Sequence, residues 1–138
     1  MRELKVSLVI TSASLGLSEI SVKVRHGHSH GSHERGTSSL PGRKPFPETI
    51  WRLDSTEPES ASLEKHFASI ESQIPAKSIK DSLLLATDVR CFFDIAAFFD
   101  DAMCSINIPT ICLKVVERYE AEISISCYPV EAKDRSPE

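Results

Sequence analysis

Beyond Gly42 the chain has no glycine, since all five lie at or before that position. Loops that cradle phosphates need glycine for its conformational freedom. Neither a Walker loop nor a Gly-x-Gly-x-x-Gly fingerprint occurs, so the usual nucleotide cradles are excluded. No run approaches 18 apolar residues, which excludes a transmembrane helix. No Cys-x-x-Cys pair exists, and the spacing of Cys91, Cys104, Cys112 and Cys127 fits no zinc pattern. Gly-x-Ser-x-Gly, the elbow that presents a nucleophilic serine, is absent as well. What remains is a chain of 138 residues, 41% of them hydrophobic. A chain of that size buries roughly 68–70% of its unfolded surface and needs no metal or disulfide to fold. It reads as one domain spanning 1–138.

The net charge of −4 hides an uneven distribution. Residues 1–52 carry eight Lys and Arg against four acids, whereas residues 53–138 carry eight against sixteen. Such a split either steers a charged partner over about one Debye length, roughly 8–10 Å, or reflects two solvated faces of opposite sign. Six basic residues from Lys23 to Arg52 are too dispersed for a nucleic-acid groove, and the acidic remainder would repel a polyanion. Cys91 and Cys127 sit among apolar residues, where a thiol acts as a small core hydrophobe. Reduced thiols, and a first segment that alternates like a strand where a signal peptide would be continuously apolar, point to a cytoplasmic protein.

Leu4, Val6, Leu8 and Ile10 alternate as the buried face of a first strand. Ser18 caps a short helix, with Glu19 in its first turn. Thr49 to Asp54 forms a second strand, with Trp51 and Leu53 on one face and Arg52 and Asp54 on the other. Ser60 or Ser62 caps a helix striped by Leu63, Phe67, Ile70 and Ile74 and ended by Pro75. A short helix from Ala76 to Leu84 follows, with Leu83-Leu84-Leu85 as part of a strand the alternative. Val89, Cys91, Phe93 and Ile95 mark a third strand, which Ala96 to Phe99 either extend or follow as the start of a neighbour. Pro109 opens a helix with the stripe Ile108, Ile111, Cys112, Val115, Val116 and Tyr119. A last strand, Glu122 to Tyr128, turns Ile123, Ile125 and Cys127 inward. The expected fold is α+β: a two-layer sandwich, mainly an antiparallel sheet of four to five strands, with two to three helices on one face. A tail at 130–138 frays.

Residues 25–47 break the periodicity. Four of the five glycines, three of the eight prolines and four of the five histidines fall there. Irregular segments longer than about 15 residues in compact domains are usually functional or disordered. His26, His28 and His30 share one side of an extended segment and His33 adds a fourth nitrogen, a set that suits zinc, nickel or copper. Glycines on either side raise the entropy cost of ordering it, so incidental chelation is the plainer alternative. His66 lies at the edge of a helical stripe, and no nucleophile stands out as its partner. Asp94, Asp100 and Asp101 lack a calcium-loop spacing and read as solvated carboxylates.

The Leu-x-Val-x-Leu-x-Ile strand, the His- and Arg-bearing glycine loop, Thr49-Ile-Trp-Arg-Leu-Asp-Ser55, Leu63-Glu-Lys-His-Phe67 and Ile108-Pro-x-x-x-Leu-Lys-x-x-x-x-Tyr119 occur in this order. In that order they resemble a small bacterial family, the domain of unknown function catalogued as number 4279. The resemblance covers nearly the whole chain and implies a two-layer domain without an established activity.

These readings converge on a non-catalytic protein-binding module, an immunity-like inhibitor or adaptor. Arg25, Arg35, Arg43, Lys44 and Trp51 are the candidate partner-binding residues. The partner is expected to be another protein, with neither nucleic acid nor membrane involved. The alternative is a metal-binding protein using the His26, His28, His30 and His33 loop for zinc or nickel.

Overall fold

A computed structural model describes residues 2–38, 40–83, 88–100 and 105–130. The described residues form eight elements in order: β1 (Arg2–Ser12), α1 (Leu17–Val24), β2 (Thr49–Asp54), α2 (Leu63–Gln73), α3 (Ala76–Lys80), β3 (Val89–Phe99), α4 (Thr110–Arg118) and β4 (Glu122–Pro129). The strands form one sheet in the order β2-β1-β3-β4. β1 is antiparallel to both β2 and β3, whereas β3 and β4 run parallel. That last pairing is the one departure from an antiparallel sheet, and α4 explains it. A helical crossover returns the chain in the direction it started, which a tight hairpin cannot do. The fold is therefore α+β, with an open mixed sheet and four helices against it.

The alternating residues of β1 explain why the helices gather on one side. Leu4, Val6, Leu8 and Ile10 are at most 5% exposed and join Trp51, Leu53, Cys91, Phe93, Ile95 and Ala97 on the same face. Ile20 and Val24 of α1, Leu63, Phe67 and Ile70 of α2, Ile79 of α3, and Cys112, Val115 and Val116 of α4 close over that face as one core. Phe67 stacks on Phe93 at 4.6 Å, and Tyr119 meets Phe93 edge-on at 5.2 Å. The Tyr119 hydroxyl donates to the Ile74 carbonyl, so this buried phenol keeps a hydrogen bond. Burial and the nearby Glu71 carboxylate push that phenol well above its ordinary range.

Several expectations are corrected at element ends. The N-cap of α1 is Gly16, two residues before Ser18, and Glu19 reaches back to accept the Gly16 N–H at 3.1 Å. Ser62 does cap α2, accepting from the Lys65 N–H at 3.3 Å. The helix after Pro75 stops at Lys80, short of Leu84. In α4, Ile111 is 58% exposed rather than part of the buried stripe. In β4, Ile125 is 43% exposed and Cys127 is exposed, although both were expected to face inward. β4 is the last strand of the sheet, so its helix-side residues have a neighbour on one side only. Cys104 and the tail from residue 131 lie outside the described residues. No described helix is long and apolar enough to cross a membrane.

Candidate binding face

The face of the sheet opposite the helices carries Lys5, Ser7, Val9 and Thr11 of β1, Ile50, Arg52 and Asp54 of β2, and Phe92, Asp94, Ala96 and Phe98 of β3. The four helices among the described residues all contribute to the core on the other side, and no described element covers this face. Antiparallel sheets commonly leave one face to solvent, and such a face is normally polar. Here it is mixed. Val9, flanked by Arg52 and Phe92 in register, is only 1% exposed. Ile50, Phe92, Ala96 and Phe98 are half-buried. Phe98 stacks on Tyr128 at 5.2 Å, and the Lys5 ammonium sits 5.6 Å from the Phe98 ring.

The charges on this face are paired, across strands in two cases and to the connection after β2 in a third. Arg52 donates to Asp94 at 3.1 Å with both side chains mostly covered. Lys5 meets Glu59 at 3.4 Å, and Arg90 meets Glu122 at 3.1 Å. The Ser7 hydroxyl donates to Asp54 at 2.7 Å. Exposed pairs such as Lys5–Glu59 contribute little stability, about 0–1 kcal/mol, so their effect is to hold side chains in position.

Two hollows open on this side. One, about 460 Å³, lies among Thr11, Glu48, Arg90, Phe92, Glu122 and Ser124. The other, about 390 Å³, lies where β2 ends and the chain turns toward α2. Ser55 N–H donates to the Val6 carbonyl at 2.9 Å and Leu4 N–H to the Glu59 carbonyl at 2.8 Å. The segment between those anchors leaves the sheet, and Lys5, Ser55, Glu57 and His66 line the space beneath it.

His66 acquires a neighbour that its sequence surroundings did not reveal. Its Nδ1 lies 2.8 Å from the Ser55 hydroxyl, while the buried Nε2 has no hydrogen-bond partner among the described residues. Burial lowers the imidazole's pKa, and the Glu57 carboxylate partly opposes this. A serine–histidine pair suggests nucleophilic chemistry, but the arrangement lacks the group that would orient the ring from its far nitrogen. Ser55 Oγ also accepts the Glu57 N–H at 3.1 Å, which is the geometry of a local turn. The pair therefore fixes the exit of β2 against α2.

The histidine-rich segment is built into the sheet. Ser29 N–H donates to the Arg52 carbonyl at 2.7 Å, and His33 exchanges main-chain bonds with Ile50 at 2.8 Å in both directions. Arg52 N–H reaches the Ser32 hydroxyl and Asp54 N–H the Ser29 hydroxyl, both at 3.0 Å. These bonds satisfy the outward row of β2, an edge that would otherwise invite another chain. His33 stacks on Phe46 at 4.3 Å. His26 and His28 approach the carbonyls of Gly27 and Ser29 respectively, and His30 is exposed. Among the described residues no three His, Cys, Asp or Glu side chains could hold a metal ion, so the four histidines are not gathered into a site.

The candidate partner-binding residues are dispersed as well. Trp51 is fully buried and donates its indole N–H to the Ser21 hydroxyl at 3.0 Å, which removes it from any surface. Arg35 donates to the Ala13 and Ser14 carbonyls at 2.9 and 2.6 Å, clamping the turn before α1. Arg25 ends α1 with a left-handed backbone, φ 59°. Arg25, Arg43 and Lys44 are exposed. The open face was missed because a half-buried Phe92 or Phe98 has the same sequence signature as a core residue. Its one legible trace was the outward placement of Arg52 and Asp54 in the second strand.

No family model matches this chain, and neither does any curated protein or solved structure.

Proposed function

We propose that the chain is a protein-binding module that works without catalysis, an immunity-like inhibitor or adaptor, and that it engages its partner with the open face of the sheet. The observation that carries this reading is the mixed character of that face. Half-buried Ile50, Phe92 and Phe98 alternate with the Arg52–Asp94 pair on a rigid sheet with hollows at two places. Aromatic and arginine side chains held in position by their neighbours are the groups that dominate protein interfaces. Arg43 and Lys44, exposed in the loop beside β2, add basic charge that would speed encounter with an acidic partner.

The test is capture from the lysate of the source cell, with and without Phe92→Glu. A partner recovered at near-equal stoichiometry by the native chain should be lost with the variant while circular dichroism stays unchanged. Neutralising Arg25, Arg43 and Lys44 together should slow association and flatten its salt dependence. A partner held equally well by a folded Phe92→Glu chain would sink the reading, as would a native chain that captures nothing.

A further inference from the structure

The two edges of the sheet are finished differently. β2 is closed by Ser29, Ser32 and His33, whereas among the described residues no strand pairs with the outer edge of β4. Which groups that edge offers follows from one bond. Val130 N–H donates to the Phe99 carbonyl at 2.7 Å, and β4 runs parallel to β3. Alternate residues of a strand turn their main-chain groups to the same neighbour. Ser124, Ser126 and Tyr128 therefore share the direction of Val130, toward β3. Ile123, Ile125 and Cys127 turn their N–H and C=O groups outward. Pro129 falls in the outward series, where a strand tolerates a residue without an N–H.

We propose that this edge takes β4 of a second copy of the chain, antiparallel, about a two-fold axis at Ile125. The strand's sequence, Glu-Ile-Ser-Ile-Ser-Cys-Tyr-Pro, is self-complementary about that residue. Ile125 meets its own counterpart, Ile123 meets Cys127 of the second copy, and Ser124 meets Ser126. Each outward residue from Ile123 to Cys127 then faces another outward residue, so every donor and acceptor in the window finds a partner. Glu122, the one charged residue of β4, comes opposite Tyr128. A parallel pairing in register would instead set Glu122 against itself, which is unfavourable. No lysine guards this edge, and its proline lies beyond the paired window. Pairing also shelters Ile125, which is 43% exposed in the single chain.

The consequence reaches the binding face, although this inference stands independently of the partner reading. A two-fold axis normal to the sheet sets both open faces on the same side. Two copies then form one continuous sheet, and the Phe98–Tyr128 stacks flank its centre.

The experiment uses the full chain in analytical ultracentrifugation, over a concentration series. A dimer is expected, and Ile125→Lys should convert it to a monomer with unchanged circular dichroism by placing like charges opposite each other. A second measurement needs no disruption. Opposed residues that exchange both hydrogen bonds have Cα atoms about 5.5 Å apart, inside the disulfide range of about 4.4–6.8 Å. Ile125→Cys in a Cys127→Ser background should therefore cross-link to itself under mild oxidation, and Ser124→Cys in that background should not. A chain that stays monomeric throughout, a dimer that survives Ile125→Lys, or equal cross-linking at 124 and 125 overturns the proposal.

Discussion

Leu17 donates its main-chain N–H to the Glu34 carboxylate at 2.7 Å, so a residue from the histidine-rich segment caps the first helix. Gly16 makes room for it, because a Cβ there would collide with the Glu34 carboxylate. On the other side of the same turn, Asp88 accepts the Ser14 hydroxyl at 2.6 Å and the Ser14 N–H at 2.9 Å. Those bonds hold the Asp88 carboxyl below its usual pKa. Arg35, Glu34 and Asp88 thus fix one short connection from three directions.

Removing that cap should cost what N-caps usually cost. Glu34→Ala is expected to lower unfolding free energy by about 1 kcal/mol, within a range of about 0.5–2 kcal/mol. Gly16→Ala should cost less than Glu34→Ala, because only the flexible end of the Glu34 side chain must shift. Urea denaturation midpoints for both variants measure the effect. A midpoint unchanged in Glu34→Ala would mean that the helix start is held by Glu19 alone.

The histidines of residues 25–47 should divide by what they touch. His33 stacks on Phe46 and its main chain bridges Ile50, whereas His28 and His30 are exposed. His33→Ala should lower stability by about 0.5–1.5 kcal/mol, the range for a stacked ring pair. His28→Ala and His30→Ala should leave the melting temperature unchanged. If the exposed pair proves as costly as His33, the segment holds together through contacts other than the stack. A chelator-sensitive melting temperature would revive the four-histidine metal site.

The fold was legible where period and burial agree. Leu4 to Ile10, Trp51 with Leu53, Phe67 with Ile70, and Cys91 to Ile95 each repeat at the spacing of their element, and each is buried. Period failed where position in the sheet decides exposure. Ile125 repeats as a core residue does but belongs to the terminal strand, and Ile111 continues a stripe whose face turns outward near the start of α4. The parallel β3–β4 pairing could not be read because strand direction depends on how the connecting helix lies across the sheet. The site was less legible still. Composition singled out residues 25–47 as irregular, and irregular they are, yet hydroxyls and main-chain groups spread through the segment attach it to β2. The Ser55–His66 contact joins residues eleven apart whose elements meet only on folding.

The burial of His66 also makes the protein's stability depend on pH. His66 is 1% exposed and burial depresses its pKa below the ordinary imidazole value of 6.5. Its charged form is disfavoured in the folded chain, while the unfolded chain takes up the proton normally. Stability is therefore complete above about 6.5 and is lost as pH falls through that value toward the folded pKa, because unfolding there is driven by proton uptake. Glu57 softens the loss without reversing it. Urea midpoints from pH 7.5 down to about 5 should fall in the native chain and fall less in His66→Gln, whose side chain does not titrate. Ser55→Ala should separate the hydrogen bond from the proton. It leaves Nδ1 unpaired beside an already unpaired Nε2, at a cost of about 1–3 kcal/mol. An equally steep pH profile in His66→Gln would place the acid sensitivity in a group other than His66; Asp88, whose carboxyl is held below its usual value, gives up its serine bonds only at pH below that window.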